Sequence, residues 1–161
     1  MRKVMIVMGS DSDLDVMNKA KEVLEEFGVE YELRILSAHR TPKQLMEAVS
    51  NLEKNGFEIV IAGAGAAAHL PGVIAALTVL PVIGVPVKSD FNDGLDSLLS
   101  IVQMPNGIPV ATVGVNRSKN AALLAIQMLS LKYEDLKEKL LEYRKNMEAS
   151  VIEKDKKLRG K

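Results

Sequence analysis

The chain contains no cysteine, no tryptophan and only two histidines among its 161 residues. The absence of cysteine excludes disulfide bonds, thiolate catalysis and cysteine-ligated metal sites. Aromatic residues make up 4% of the chain, three Phe and three Tyr, so few rings are available to stack on a flavin. This composition argues against a flavin-binding module.

The chain also lacks an excess of charge of either sign, since 21 Lys and Arg balance 21 Asp and Glu. A zero balance argues against electrostatic binding to nucleic acid or to an anionic membrane surface. Basic residues lie at positions 2–3, but the apolar run that follows them ends at Gly9. This run is too short for a signal peptide and has no cleavage pattern, so we expect a cytoplasmic protein.

No formally charged residue lies between Ile59 and Val87. The stretch is long enough to span a membrane. Pro71, Pro81 and Pro86 divide it into short pieces, because proline breaks helices. We therefore predict a strand, a turn, a helix and a strand here, with no membrane segment. A small monomer would expose much of this segment to water, so we expect part of it to be buried between subunits of a homo-oligomer.

Hydrophobic periodicity predicts strands that alternate with helices. The expected strands are residues 3–8, 31–36, 59–62, 82–85 and 110–115. The expected helices are residues 14–27, 41–56, 72–77, 94–102 and 118–131. This alternation implies right-handed crossovers and a parallel sheet. The predicted fold class is α/β: a three-layer sandwich with a flavodoxin-like parallel five-stranded sheet and a C-terminal helical extension.

The length predicts a single domain over residues 1–161, with an α/β core over residues 1–131. Residues 132–161 differ from the core, because apolar residues recur there at helical spacing among dense charges. These apolar residues are Tyr133, Leu136, Leu140, Tyr143, Met147 and Val151. Their side of the helix can pack on its own domain or on a neighbouring subunit, and we favour the neighbouring subunit.

The loop after the first predicted strand, residues 9–13 (GSDSD), combines hydroxyl and carboxylate groups with the free amides of a helix start. In a parallel sheet such loops converge at the carboxyl edge, where ligands bind. The loop suits a phosphate or a sugar diol, although helix capping explains it better when it is considered alone. Its two acidic residues would repel a phosphate, a conflict that is resolved if Asp13 binds ribose hydroxyls.

The loop after the second predicted strand, residues 37–42 (SAHRTP), places a histidine beside an arginine. His39 can gain or lose a proton near neutral pH, and Arg40 is a permanent cation that suits phosphate. The hydroxyls of Ser37 and Thr41 favour the same function, whereas the alternative is a solvated surface pair. The combination indicates proton transfer on a phosphorylated small molecule.

The loop after the third predicted strand, residues 63–69 (GAGAAAH), fits a G-x-G-x-x-A dinucleotide pattern. Its context is wrong for that motif, because no acidic residue ends the next strand. Small side chains instead let a flat ligand lie against the main chain. His69 is either a ligand contact or a structural histidine, and we favour the contact. Residues 86–94 form either a lid or an ordinary loop.

Together these segments resemble the N5-carboxyaminoimidazole ribonucleotide mutase family of purine biosynthesis, the family of the phosphoribosylaminoimidazole carboxylase catalytic subunit. The motifs are residues 7–13 (VMGSDSD), 37–42 (SAHRTP), 62–65 (AGAG) with 68–72 (AHLPG), and 96–105 (DSLLSIVQMP). The chain departs from the family pattern at Ala66, where glycine is usual, and at residues 90–92. These departures concern the pocket wall and the loop beside it.

The resemblance implies that the carboxylate of N5-carboxyaminoimidazole ribonucleotide moves from the exocyclic amine to ring carbon 4. It implies His39 as the catalytic residue, a phosphorylated substrate, no metal, no cofactor, and a homo-octamer with active sites at subunit contacts. The positions it marks as substrate-binding are Ser10, Ser12, Asp13, Ser37, Arg40, Ala64, Gly65, His69 and Leu70. The alternative is the related carboxylase that uses free carbon dioxide, and a distant one is a flavodoxin-like nucleotide-binding module.

Overall fold

A computed structural model describes residues 2–160 of the chain. The strands form one parallel sheet in the order β2-β1-β3-β4-β5. They are β1 (Lys3–Met8), β2 (Glu30–Ile35), β3 (Phe57–Gly65), β4 (Val82–Val87) and β5 (Ala111–Thr112). This order is the flavodoxin-like one, and the predicted α/β fold class is confirmed.

Helices cover both faces of the sheet. They are α1 (Leu14–Phe27), α2 (Pro42–Ser50), α3 (Leu70–Ala75), α4 (Leu95–Val102), α5 (Ser118–Leu129) and α6 (Glu134–Leu158). Residues of α1, α5 and the start of α6 pack against one face, and residues of α2, α3 and α4 pack against the other. Burial on both faces explains why β1, β3 and β4 read as nearly continuous apolar runs.

The sequence prediction is most accurate at α1. The predicted bounds of this helix are confirmed, and it ends at Gly28, which adopts the left-handed conformation with a φ of 68°. The Gly28 N–H donates to the carbonyls of Leu24 and Glu25, so the glycine satisfies carbonyls at the helix end. Strand β2 is the outermost strand beside β1, and its partly exposed, alternating residues suit an edge.

A glycine in β3 brings α1 unusually close to the sheet. A Cβ atom at Gly63 would lie 2.4 Å from the Sδ atom of Met17, so no larger residue fits without displacing that side chain. Met17 is fully buried in α1. This close approach places the start of α1, and the loop before it, beside the carboxyl end of β3.

Other element bounds differ from the prediction. Helix α2 ends at Ser50, and residues 51–56 form turns up to Gly56. The side chains of Ser50 and Asn51 both donate to the Glu47 carbonyl, and such bonds compete with continued helix. Strand β3 is longer than predicted, β5 is only two residues long, and α3 begins at Leu70.

Only the first part of α6 packs on this chain. Leu136 is fully buried, and the Tyr143 ring lies 5.6 Å from that of Phe27, centroid to centroid. Met147 and Val151, farther along the same apolar side, are 49% and 65% exposed. The predicted packing on a neighbouring subunit therefore concerns the second half of the helix. Within residues 2–160, no helix has both the length and the apolar character that crossing a membrane requires.

Candidate active site

A pocket of about 440 Å³ opens at the carboxyl edge of the sheet, between the loops that follow β1, β2, β3 and β4. Its volume falls in the range usual for small-molecule sites. Every site residue predicted from the sequence lines it: His39, Ser10, Ser12, Asp13, Ser37, Arg40, Ala64, Gly65, His69 and Leu70. The fold thus brings together residues that lie far apart in sequence.

The two histidines of the chain form a pair in this pocket. The Nε2 atom of His39 lies 2.7 Å from the Nδ1 atom of His69, and the rings meet edge to face with centroids 4.8 Å apart. At this distance one nitrogen carries the proton and the other accepts it. His39 follows β2 and His69 precedes α3, so the pair joins two loops. The contact orients the His39 imidazole, and His69 already has a partner within the protein.

The loop that carries His39 is held by its own hydrogen bonds. The Ser37 N–H donates to Thr41 Oγ1 at 2.9 Å, and the Thr41 N–H donates to the Ser37 carbonyl at 3.0 Å. The Arg40 N–H donates to Ser37 Oγ at 3.1 Å. Ser37 and Thr41 therefore shape this loop, and their hydroxyls are engaged before any ligand arrives. The loop presents His39 and Arg40 as exposed side chains.

Arg40 connects the loop after β2 to the loop after β1. Its Nη2 atom donates to the Gly9 carbonyl at 2.6 Å, and its Nε atom lies 3.4 Å from Ser37 Oγ. These contacts occupy only part of the five-donor guanidinium, whose charge is permanent. Arg40 is thus a fixed cation with donors left for an anionic ligand.

Asp13 is a buried carboxyl group at the start of α1, with 7% of its surface exposed. Burial raises the pKa of Asp13 above its usual value, while a backbone hydrogen bond from Ser10 and the nearby Arg40 charge lower it. Asp13 makes no side-chain cap bond to α1, whereas Ser10 Oγ accepts from the Ser12 N–H at 3.3 Å. Ser10 therefore caps the turn at residues 11–13, whereas the Asp13 carboxyl accepts from the Ser10 backbone and caps no helix.

The loop after β3 forms a wall of small side chains. A Cβ atom at Gly65 would lie 3.4 Å from the Val87 carbonyl, so the main chains of β3 and β4 are close there. Ala66 has a φ of 53°, a left-handed conformation that glycine adopts more readily than alanine. This gives a physical reason for the glycine usual at this position in the resembling family.

The structure adds pocket residues that the sequence reasoning missed. Lys88, Ser89 and Asp90 line the pocket from the loop after β4. The Lys88 Nζ atom forms a 2.8 Å ion pair with Asp93, and Ser89 Oγ donates to Asp96 at 2.9 Å. From the sequence, residues 86–94 were either a lid or an ordinary loop, and no pattern singled out these three residues. Gly9, Ala38, Ala66 and Ala67 complete the lining.

The pocket combines groups that suit an anionic, hydroxylated ligand and a proton transfer. The cations Arg40 and Lys88 attract anionic groups, and the carboxylate of Asp13 can accept hydrogen bonds from hydroxyls. His39 adds an imidazole, the side chain most often used as a general acid or base in enzymes.

Comparison with known proteins gives consistent matches. The AIR carboxylase family profile matches residues 3–150. An N5-carboxyaminoimidazole ribonucleotide mutase of Pyrococcus horikoshii is 63% identical over 153 residues, 95% of this chain and 86% of that protein. A phosphoribosylaminoimidazole carboxylase of Candida albicans is 56% identical over 149 residues, 92% of this chain and 26% of that longer protein. A crystal structure of Treponema denticola PurE has a TM-score of 0.88 at 32% identity, covering 98% of this chain and 99% of that one. The chain therefore belongs to the AIR carboxylase family.

Proposed function

We propose that the protein is an N5-carboxyaminoimidazole ribonucleotide mutase, an isomerase of de novo purine (IMP) biosynthesis. The observation that carries the proposal is the convergence of His39, Arg40 and Asp13 in one polar pocket of a chain that belongs to this family. The Pyrococcus horikoshii relative, which carries the mutase name, supports the assignment through its 63% identity.

The pocket offers a partner for each part of a ribonucleotide. Arg40 and the loop after β1 suit the phosphate, because a guanidinium binds oxyanions through several donors at once. The Asp13 carboxylate suits the ribose hydroxyls. The small side chains from Ala64 to Ala67 let the flat heterocycle lie against the main chain, with His39 at its edge.

The proposed reaction needs one proton delivered and one removed. His39 gives a proton to the exocyclic nitrogen as the bond between that nitrogen and the carboxylate breaks, which releases carbon dioxide and leaves a neutral amine. Ring carbon 4 then attacks carbon dioxide, and His39 takes the proton that this carbon loses. The products balance the reactants, and His39 returns to its starting protonation state.

Released carbon dioxide must stay beside the ring for the second half of the reaction. The wall from Ala64 to Ala67, together with His69, closes one side of the pocket and supports this role. Confinement replaces the high concentration that a second free reactant would need. No covalent nucleophile takes part in this sequence of steps.

We also propose that the enzyme works in the cytoplasm as a homo-octamer, with the second half of α6 packed on a neighbouring subunit. Exposed apolar side chains on two faces support an assembly of this kind. They are Val73 and Leu77 near α3, Leu95, Leu99 and Val102 on α4, and Met147 and Val151 on α6. Light scattering coupled to size-exclusion chromatography measures the mass, and a monomer at micromolar concentration would contradict this assembly.

The test of function is a turnover assay without ATP, run in parallel with two substrates. The mutase is expected to convert N5-carboxyaminoimidazole ribonucleotide faster than it carboxylates aminoimidazole ribonucleotide in the presence of bicarbonate. The opposite order would identify a carboxylase, a candidate supported by the Candida albicans relative. Turnover of neither substrate, together with flavin binding, would favour the flavodoxin-like binding module.

A further inference from the structure

The pocket has a cation at each end. Among the described residues that line it, the permanently or normally positive side chains are those of Arg40 and Lys88. Arg40 lies in the loop after β2 and Lys88 directly after β4, and strands β1 and β3 separate β2 from β4. Three strand spacings place the two loops about 14 Å apart along the sheet edge. A ligand that spans the pocket can therefore meet both charges.

The backbone of Lys88 is fixed in place. Its N–H donates to Asn116 Oδ1 at 2.8 Å, and the Asn116 N–H donates to the Pro86 carbonyl at 2.8 Å. These bonds anchor the end of β4 to the segment after β5. The side chain thus starts from a defined position at the rim of the pocket.

The side chain of Lys88, in contrast, has a partner that is easily exchanged. Its Nζ atom pairs with Asp93, and the two side chains are 57% and 86% exposed. Water screens ion pairs of this kind, so they contribute little to stability. An oxyanion that enters the pocket can replace Asp93 at small cost.

The segment that supplies Asp93 has left-handed backbone at two residues. Asn92 and Asp93 have φ values of 49° and 53°, a conformation that Asn and Asp adopt more readily than other residues with a side chain. The Lys88–Asp93 and Ser89–Asp96 contacts also hold this segment. The low cost of exchanging Asp93 for another anion therefore rests on the exposure of the ion pair.

The charges of the proposed substrate call for a second cation. The ribonucleotide carries a phosphate and a carboxylate, whereas Arg40 alone provides the fixed positive charge of the pocket. Asp90 also lines the pocket beside Lys88, so without the lysine this end would be acidic and would repel an anion. The hydrogen bond that Lys88 Nζ donates to the Asp93 carboxylate raises the pKa of Lys88, so the side chain is charged at neutral pH.

We propose that Lys88 is a substrate-binding residue that exchanges Asp93 for an oxyanion of the ribonucleotide. The inference rests on the proposed function, which supplies the chemical class of the ligand. The oxyanion is the carboxylate or the phosphate, and both are recognised by the same ammonium group.

The test compares the Kd values of two ligands for wild type and Lys88→Gln by calorimetry. The first ligand is 4-carboxy-5-aminoimidazole ribonucleotide, which has both anionic groups, and the second is aminoimidazole ribonucleotide, which has only the phosphate. We expect Lys88→Gln to bind the first about tenfold more weakly. If Lys88→Gln weakens binding of the first ligand alone, Lys88 binds the carboxylate. If it weakens binding of both ligands equally, Lys88 binds the phosphate.

Two further variants separate ligand binding from loop structure. Asp93→Asn removes the competing partner of Lys88, so it should tighten ligand binding by roughly two- to fivefold. When Asp93→Asn is added to Lys88→Gln, the Kd should equal that of Lys88→Gln alone. Lys132→Gln is the matched control, because Lys132 forms a 2.8 Å ion pair with Glu58 outside the pocket. It should leave both Kd values unchanged.

The assignment is overturned if Lys88→Gln stays within twofold of wild type for both ligands, or if Asp93→Asn weakens binding as much as Lys88→Gln does. The second result would mean that the ion pair serves only the loop. Wild-type turnover of N5-carboxyaminoimidazole ribonucleotide keeps the two proposals apart. If wild type does not turn over this substrate, the proposed function is wrong. If wild type turns it over normally and Lys88→Gln binds both ligands as wild type does, only the proposed role of Lys88 is wrong.

Discussion

The two halves of the pocket are built in different ways. The loops after β1 and β2 carry Asp13, His39 and Arg40; the Arg40–Gly9 hydrogen bond joins these loops, and further bonds hold the loop after β2. The loops after β3 and β4 contain Ala66, Asn92 and Asp93, all with φ values near +50°. The first pair of loops is fixed by its contacts, and the second pair contains left-handed backbone, which is costly at Ala66.

This difference suggests that one half of the pocket positions the reacting groups and the other shapes the wall. Groups that transfer protons or hold a phosphate must be positioned within a fraction of an ångström, and the bonded loops provide that order. At Ala66 the surrounding structure imposes the backbone conformation, which shapes the wall of the pocket. Substitutions of the exposed residues His39 and Arg40 should therefore alter the reaction with little change in stability. Substitution of Ala66 should alter the backbone with little change in chemistry.

The largest effect is expected for His39→Asn. An amide cannot transfer the proton, so turnover should fall by about 10²- to 10⁴-fold. The side chain is exposed, so Tm should stay near that of wild type and the product should still bind. The measurements are steady-state turnover, product calorimetry and thermal unfolding.

A companion variant, His69→Asn, sharpens this result. It removes the partner at 2.7 Å yet leaves the His39 imidazole in place. A smaller loss of turnover is expected, because the imidazole of His39 remains but loses the contact that orients it. Full activity of His39→Asn would rule out the proton-transfer role.

The next largest effect is expected for Arg40→Ala. Loss of the guanidinium removes hydrogen bonds to an anionic ligand and the bond to the Gly9 carbonyl, so KM should rise by about 10- to 100-fold. The fall in kcat should be smaller. Arg34→Ala is the control, since Arg34 pairs with Glu32 on β2 outside the pocket. A fall in kcat at unchanged KM would show that Arg40 acts in the transition state.

Asp13→Asn should change both binding and the pH dependence of stability. Because burial raises the pKa of Asp13 in the folded protein, the stability linked to its protonated form is lost as pH rises through that pKa. The variant has no such loss. The unfolding free energy of Asp13→Asn should therefore rise relative to that of wild type as pH increases above about 3.8. Urea titrations across pH measure this.

The same variant should bind product roughly tenfold more weakly, because a neutral amide is a poorer acceptor for ribose hydroxyls than a carboxylate. Parallel stability profiles for Asp13→Asn and wild type would show that the carboxyl group is solvated in the folded protein. Unchanged product binding would show that Asp13 does not contact the ribose hydroxyls. It would not affect the conclusion that burial raises the pKa of Asp13.

The sequence was sufficient to predict much of the first half of the pocket. The period of apolar residues defines β1 and α1, and a parallel sheet necessarily brings loops after its strands to one edge. His39, Arg40 and Asp13 could therefore be placed together before any coordinates were known. Their individual roles came from the family resemblance, because residue type alone also fits capping or a solvated surface.

In the second half, the loop after β3 was placed at the same edge, but the loop after β4 could not be predicted, because its position depends on contacts between distant segments. The position of Lys88 is set by Asn116, which lies after β5, and no local pattern reveals that bond. The left-handed backbone at Ala66 is likewise imposed by tertiary structure on a residue that disfavours it. The early end of α2 at Ser50 has a different, local origin: the side chains of Ser50 and Asn51 compete for the Glu47 carbonyl.

The smallest effect is expected for Ala66→Gly, which tests the strain in the second half. The left-handed conformation costs an alanine about 1 kcal/mol, and glycine removes that cost. Glycine also gives the unfolded chain more freedom, worth about 0.4–1 kcal/mol against folding. The two effects nearly cancel, so the unfolding free energy should change by less than about 1 kcal/mol. Because chemistry resides in the other half, kcat/KM should stay within about twofold.

Ala67→Gly is the matched control for this variant. Ala67 is the next residue along the same wall and does not share the positive φ, so glycine there brings the entropic cost without relief of strain. Ala67→Gly should therefore be the less stable of the two in urea titrations. Equal loss of stability would mean that Ala66 carries no strain. A large change in kcat/KM for Ala66→Gly alone would show that the methyl group shapes the reacting site, which would break the division between the two halves.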